Sequence, residues 1–156
     1  MEITPSRVVV VADRADAAPA LQAAVRRRAV AGPCEFTLLV PAVAHGFHRV
    51  VDPEDACCDE ARATIERLLP ALEAAAGAPV ASRIGAHEVF AAVQDLVNAT
   101  DVDEIILGGG AGRLSRLLHL DLPRKIRALG VAVTAVDARD VAADVDAAAD
   151  RFPMAA

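Results

Sequence analysis

The chain has 156 residues, a formal net charge of −6 and 54% hydrophobic residues, with no Trp or Tyr. This length fits one domain that can bury about 70% of its unfolded surface, so neither a disulfide nor a structural metal is required for stability. An acidic chain without aromatic platforms disfavours nucleic-acid binding. No segment approaches the ~18 consecutive apolar residues that predict a membrane span.

The amino-terminal sequence and the cysteines indicate a reducing compartment. The first residues, MEITPSR, include an acid at position 2 and no long apolar run, so no secretory signal is expected. Two of the three cysteines, Cys57 and Cys58, are adjacent, and this pattern does not form a disulfide framework. We therefore expect a cytoplasmic protein.

Five short apolar segments predict β-strands, and segments with helical spacing lie between them. The first strand, residues 7–12 (RVVVVA), is a β-branched run typical of a strand that is buried on both faces. The other strands are predicted over residues 35–40, 79–84, 103–107 and 131–136.

The predicted helices carry start and stop signals. Asp16 is the predicted cap of a first helix that runs to about Ala31 and ends before a Gly-Pro pair. The second helix begins at Asp52 and Pro53 and ends at Gly77. Apolar residues three and four apart define the faces that the helices bury: Leu21, Ala24, Val25, Ala61, Ile65, Leu68, Leu72, Val89, Val93, Leu96 and Val97.

This alternation of strands and helices predicts the fold. Strands joined through helices need right-handed crossovers, so we expect a single Rossmann-like α/β domain over residues 1–137. Its open sheet has five parallel strands with helices on both faces. Residues 138–156 form an Ala/Asp-rich tail. The strand orders 3-2-1-4-5 and 2-1-3-4-5 are both compatible with this pattern, and the glycine cluster after the fourth strand favours the first.

The glycine cluster, residues 108–112 (GGGAG), is a candidate phosphate loop. It lacks the Lys of a Walker loop, and it follows the wrong strand for a dinucleotide fingerprint. Two interpretations remain open: an anion-binding nest of backbone N–H groups, or a tight turn between a strand and a helix.

The whole layout resembles the universal stress protein family, within the adenine nucleotide alpha hydrolase-like superfamily. The resemblance spans residues 7–136 and rests on Asp13 after the first strand, the LLV that ends the second strand, and the segment IILGGGAGRLSRLLHL. The RLSRLLHLDLP segment is similar to a divergent, actinobacterial branch. The resemblance implies an ATP or AMP site, with Mg²⁺ the only metal expected, at these residues: Asp13, Val40, Gly108, Gly109, Gly112, Arg113 and Ser115.

The second half of the family's phosphate motif is not present in this chain. Gly109 and Gly112 match G-x2-G, but the Gly-Ser expected at the start of the last helix is replaced around Asp121 and Pro123. A carboxylate at a helix start occupies the N–H groups that a phosphate would use and repels the phosphate, and Pro removes one N–H. We therefore expect weak ATP binding and, at most, weak ATP hydrolysis.

Other candidate sites are less specific. His45 and His48 precede Cys57 and Cys58, but their spacing matches no familiar zinc site, and core packing is favoured for Cys58. His87 is predicted in the first turn of a helix. Ser115 has no His/Asp relay and lies outside any G-x-S-x-G motif, so no catalytic group is assigned.

Two surfaces predict interactions with proteins. Residues 113–127 carry five basic residues and one acid, which suits either an anionic ligand or partner, or a solvated helix face. The fifth strand, from Val131 to Val136, is apolar enough to pair with a second copy, as the resemblance implies. The alternative to a nucleotide binder is therefore a stress or regulatory protein that acts through protein contacts.

Overall fold

A computed structural model describes residues 3–43, 53–109 and 121–137 of the chain. The predicted tail, residues 138–156, lies outside the described residues. The strands are β1 (Ser6–Ala12), β2 (Cys34–Pro41), β3 (Ala81–Gly85), β4 (Glu104–Gly109) and β5 (Ala132–Asp137). The helices are α1 (Ala18–Ala31), α2 (Pro53–Ala76), α3 (Val89–Ala99) and a helical segment, α4, over residues 121–127.

The five strands form one parallel sheet in the order β3-β2-β1-β4-β5. This confirms the predicted order 3-2-1-4-5 and excludes the alternative order 2-1-3-4-5. Helices α1 and α2 pack on one face of the sheet, and α3 and α4 pack on the other. The Rossmann-like architecture with helices on both faces is therefore confirmed.

The central strand β1 explains why both faces are covered. Val8 and Val10 pack towards α1 and α2, while Val9 and Val11 pack towards α3 and α4. None of the four is more than 4% exposed. A strand without polar alternation has no face that can meet water, so helices must cover both sides.

The start of α1 differs from the prediction. Asp16 does not cap the helix, because it lies inside a 3-10 turn formed by Ala15–Ala17, and α1 begins after that turn with a Pro in its first positions. No side chain caps either helical start. Proline favours the first helical turn because its missing N–H would be unpaired there.

The helices bury the faces that their spacing predicts. Along α2, Ala61, Leu68 and Leu72 are buried, and the helix ends at Gly77, whose φ of 68° suits glycine. The longest of these helices, α2, is amphipathic. Within the described ranges, no helix is both long and apolar enough to cross a membrane.

The two edge strands differ in how they meet solvent. Residues 81–84 of β3 are all exposed, and they include Arg83 and Ile84. In β5, the residues before Asp137 are uncharged, and Val136 is buried. A charge on an edge strand hinders pairing with another chain, so β5 is the more open of the two edges to a partner.

Candidate functional site

The topology places a crevice where β1 and β4 end side by side. The chain leaves β1 towards the face covered by α1, while α4, which precedes β5, covers the opposite face. Ala12 pairs with Gly108 in the parallel register, so Asp13 and Gly109 follow at adjacent positions. Ligands of open α/β sheets bind at this kind of switch point, at the carboxyl ends of the strands.

Asp13 is the polar residue that stands out in this crevice. Its side chain is half-buried, and Oδ1 is enclosed without a hydrogen-bond partner among the described residues. Leaving a buried carboxylate oxygen unpaired costs free energy, of the order of 1–3 kcal/mol or more. A ligand that donates an N–H or O–H to Oδ1 would remove that cost.

Gly108 is packed too closely against α1 to carry a side chain without a shift of its neighbour. A Cβ added at Gly108 would lie 2.9 Å from Cδ2 and 3.0 Å from Cγ of Leu21 in α1. The backbone at Gly108 is ordinary strand, and within the described ranges only Gly77 and Gly130 have φ in the left-handed region. The glycine therefore lets α1 approach β4 closely.

Asp137 is a site residue that the sequence analysis did not include. It ends β5 and pairs in register with Gly109, so Gly109 lies between the strand that ends in Asp137 and the strand that leads to Asp13. The sequence carries a signal for Asp137, because this residue directly follows the apolar run VAVTAV of the predicted fifth strand. The carboxyl end of the sheet is thus flanked by two acids.

The other predicted site residues are placed differently. Val40 is 1% exposed and lies in the core shared with α1 and α2, so only its backbone can meet a ligand. Gly112, Arg113 and Ser115 lie outside the described residues.

A cleft of about 520 Å³ opens beside Asp13, and we call it the α2 cleft. It is lined by residues 13–16 and by Pro41 and Val43, at and after the end of β2. One face of α2 also lines it, where Glu60, Thr64 and Arg67 are spaced by four and three and so lie side by side. Pockets of this volume suit small-molecule ligands.

The described part of α4 carries an acid ahead of its basic residues. Asp121 is helical and pairs with Lys125, with an Oδ2–Nζ distance of 3.3 Å. Pro123 is buried, while Arg124 and Arg127 are exposed. Of the predicted basic surface, residues 113–127, only this part is described.

His87 does not occupy the first helical turn as predicted. It precedes α3, and its Nδ1 lies 2.8 Å from the carbonyl oxygen of Ala42, which fixes Nδ1 as the donor. His45 and His48 lie outside the described residues, and Cys58 is half-buried. In the described ranges, no three or more His, Cys, Asp or Glu side chains form a group that could hold a metal.

A connected set of polar side chains lies at the amino ends of the strands. Arg28 Nε donates to Glu104 Oε2 at 2.7 Å, and Thr134 Oγ1 donates to the other carboxylate oxygen at 3.3 Å. The hydrogen bond to Glu104 raises the pKa of the Arg28 guanidinium against the opposing effect of burial. Burial raises the pKa of the Cys34 thiol, and Arg28 opposes this to a lesser degree.

A second cleft, of about 530 Å³, also lies at the amino ends, between α3 and the sheet. It includes Arg7, whose Nη1 pairs with the Asp101 carboxylate at 3.0 Å. Its size is close to that of the α2 cleft, but it lies at the end of the sheet where ligands of this fold class do not bind.

Solved structures with the same fold are universal stress proteins. One in complex with cAMP has a TM-score of 0.60 and 18% identity, covering 84% of this chain and 96% of that one. The Archaeoglobus fulgidus protein in complex with dAMP has a TM-score of 0.55 and 18% identity, covering 86% and 99%. A Burkholderia pseudomallei protein of that family has a TM-score of 0.59 and 18% identity, covering 83% and 94%. No protein-family model and no curated protein matches the sequence. At such identities the likeness establishes the fold.

Proposed function

We propose that this chain is a universal stress protein-like cytoplasmic protein that binds an adenine nucleoside or nucleotide at the carboxyl ends of β1 and β4. The observation that carries the proposal is Asp13, whose enclosed oxygen lies at the switch point beside Gly109 without a hydrogen-bond partner among the described residues. An exocyclic amine or a ribose hydroxyl supplies the donor that this oxygen needs. Two structures with this fold contain cAMP and dAMP, which supports an adenine ligand.

We assign no catalytic step to the crevice. The described feature of the crevice is an enclosed carboxylate oxygen of Asp13, and an acceptor of this kind is suited to binding a ligand donor. Mg²⁺ is proposed only as the counterion of a bound phosphate.

Packing observations favour a second function, a regulatory protein that acts through protein contacts and binds no nucleotide. The close approach of Leu21 is a sufficient reason for a glycine at position 108, so this glycine does not require a ligand. Exposed Arg124, Lys125 and Arg127 give the described part of α4 a basic surface that suits an acidic partner.

We further propose a homodimer through β5. Ala132, Thr134 and Ala135 are exposed, small and uncharged, so a second strand can approach them closely. Light scattering at micromolar concentration should give twice the chain mass, and Ala135→Lys should give the monomer mass. Ser82→Lys on the opposite edge strand is the matched control, and a monomeric parent chain would remove the proposal.

A thermal-shift comparison of nucleotides tests the binding function. AMP and cAMP at about 100 times their dissociation constants should stabilise the chain by about 2.7 kcal/mol, which raises Tm by several degrees. The corresponding guanine nucleotides should have a smaller effect, because guanine presents a carbonyl oxygen where adenine has its exocyclic amine. If no adenine compound raises Tm at millimolar concentration, the protein-contact function is favoured instead.

A further inference from the structure

The α2 cleft contains two arginines that the proposed nucleoside site does not use. Arg14 directly follows Asp13, and Arg67 lines the same cleft from α2. Both are exposed, and neither side chain forms an ion pair or hydrogen bond with another described residue. Arg7, Arg28 and Arg62, by contrast, each pair with a carboxylate.

We infer that the α2 cleft is an anion subsite in which Arg14 and Arg67 hold the phosphate of a mononucleotide. The inference rests on the proposed function, because Asp13, which lines the same cleft, is the residue assigned to the nucleoside. Arginine presents several N–H donors in a fixed planar arrangement that matches phosphate oxygens. Two such side chains in the lining of one cleft can both donate to the same phosphate.

The described part of α4 is less suited to this phosphate. Asp121 carries a carboxylate that repels a phosphate at close range, and it is paired with Lys125. Pro123 has no N–H to donate. The phosphate is therefore expected on the α2 side of Asp13.

The charges that line the α2 cleft limit the ligand to one phosphate group. Asp13, Asp16 and Glu60 line the cleft with the two arginines, which gives three formal negative charges against two positive ones. A triphosphate would add several negative charges to a lining that is already acidic. We therefore expect AMP or cAMP to bind more tightly than ATP.

Calorimetric titration of the full chain with adenosine, AMP and ATP tests this subsite. The parent chain should bind AMP about tenfold more tightly than adenosine, since two charge-assisted contacts are added. The double variant Arg14→Gln/Arg67→Gln should bind AMP and adenosine equally and keep the parent affinity for adenosine. Arg62→Gln is the control, because Arg62 is also an exposed arginine of α2 but pairs with Asp59.

The outcomes separate the subsite from the nucleoside site. If adenosine binds but AMP gains nothing, or if the double variant keeps the gain, the subsite is wrong and the proposed function stands. If inorganic phosphate binds as tightly as AMP while adenosine does not bind, the ligand is a free anion and the assignment to a nucleotide is overturned. If neither adenosine nor AMP binds, the proposed nucleoside site and the anion subsite are both wrong.

Discussion

The two ends of the sheet differ in how completely their polar groups are paired. At the amino end, Arg28, Glu104 and Thr134 form a connected network, and the Arg7 N–H donates to the Asp103 carboxylate at 2.8 Å. At the carboxyl end, Asp13 has an enclosed oxygen without a hydrogen-bond partner in the described ranges. Satisfied networks stabilise a fold, while unpaired buried groups persist where a ligand completes them. The amino end thus stabilises the domain, and the carboxyl end is where we propose that a ligand binds.

Replacing Gly108 should give the largest loss of stability and tests whether a glycine at the carboxyl end serves packing. In Gly108→Val the added side chain would overlap with Leu21, whose atoms lie only 2.9–3.0 Å from the position that the new Cβ would take. Overpacking of this kind costs about 1–3 kcal/mol, measurable by urea unfolding. Gly32→Ala is the control, because no atom lies within 4 Å of its added Cβ. If Gly108→Val is as stable as the parent chain, Gly108 is not needed for packing, and a role in ligand binding is favoured.

Breaking the Arg28–Glu104–Thr134 network at the amino end should cause the next largest loss of stability. Glu104→Gln removes the charge that Arg28 meets at 2.7 Å in a pair whose side chains are 24% and 21% exposed. We expect a loss of about 1–2 kcal/mol in the free energy of unfolding, because charge-assisted hydrogen bonds exceed neutral ones. The Arg7–Asp101 pair provides the matched control: Asp101 is 96% exposed, so Asp101→Asn should change stability by less than about 0.5 kcal/mol. Equal effects of the two substitutions would contradict the proposed difference between buried and exposed pairs.

A rise to alkaline pH should have the smallest effect on the free energy of unfolding. Burial raises the pKa of the Cys34 thiol in the folded chain, so folding favours the protonated thiol. Its contribution is complete below the ordinary thiol pKa of about 8.5 and is lost as pH rises through the raised value. The chain has no Tyr and a single Lys, and its other two cysteines are present in both of the proteins that are compared. Comparing urea unfolding of the parent and Cys34→Ala between pH 7 and 10 isolates the thiol, and parallel pH profiles would refute the assignment.

The strand order could be predicted from the sequence because it depends on local patterns. The run RVVVVA identifies a strand buried on both faces, and a strand of this kind lies in the interior of a parallel sheet. The glycine cluster then favoured the order in which β1 and β4 are neighbours, and this was confirmed. The predicted start of α1 was wrong. Asp16 is a residue type that commonly caps helices, but here the chain forms a 3-10 turn around it.

The site could be predicted only in part because its residues meet through tertiary contacts. Asp13 could be found, since it directly follows a predicted strand. The role of Gly108 depends on Leu21, which lies far away in the sequence and is brought close by the packing of α1 on β4. The presence of Arg14 and Arg67 in the lining of one cleft likewise depends on the tertiary placement of α2. Such pairs have no local sequence signature.

Calorimetric binding of AMP to the parent chain and to Asp13→Ala tests the central claim most directly. We predict micromolar binding to the parent chain and at least a tenfold loss in the variant, because Asp13 accepts the ligand's hydrogen bond. The variant should remain folded with undiminished stability, since the replaced oxygen has no protein partner among the described residues. Equal affinity of AMP for the two proteins, or loss of folding in Asp13→Ala, would contradict the claim and give Asp13 a structural role.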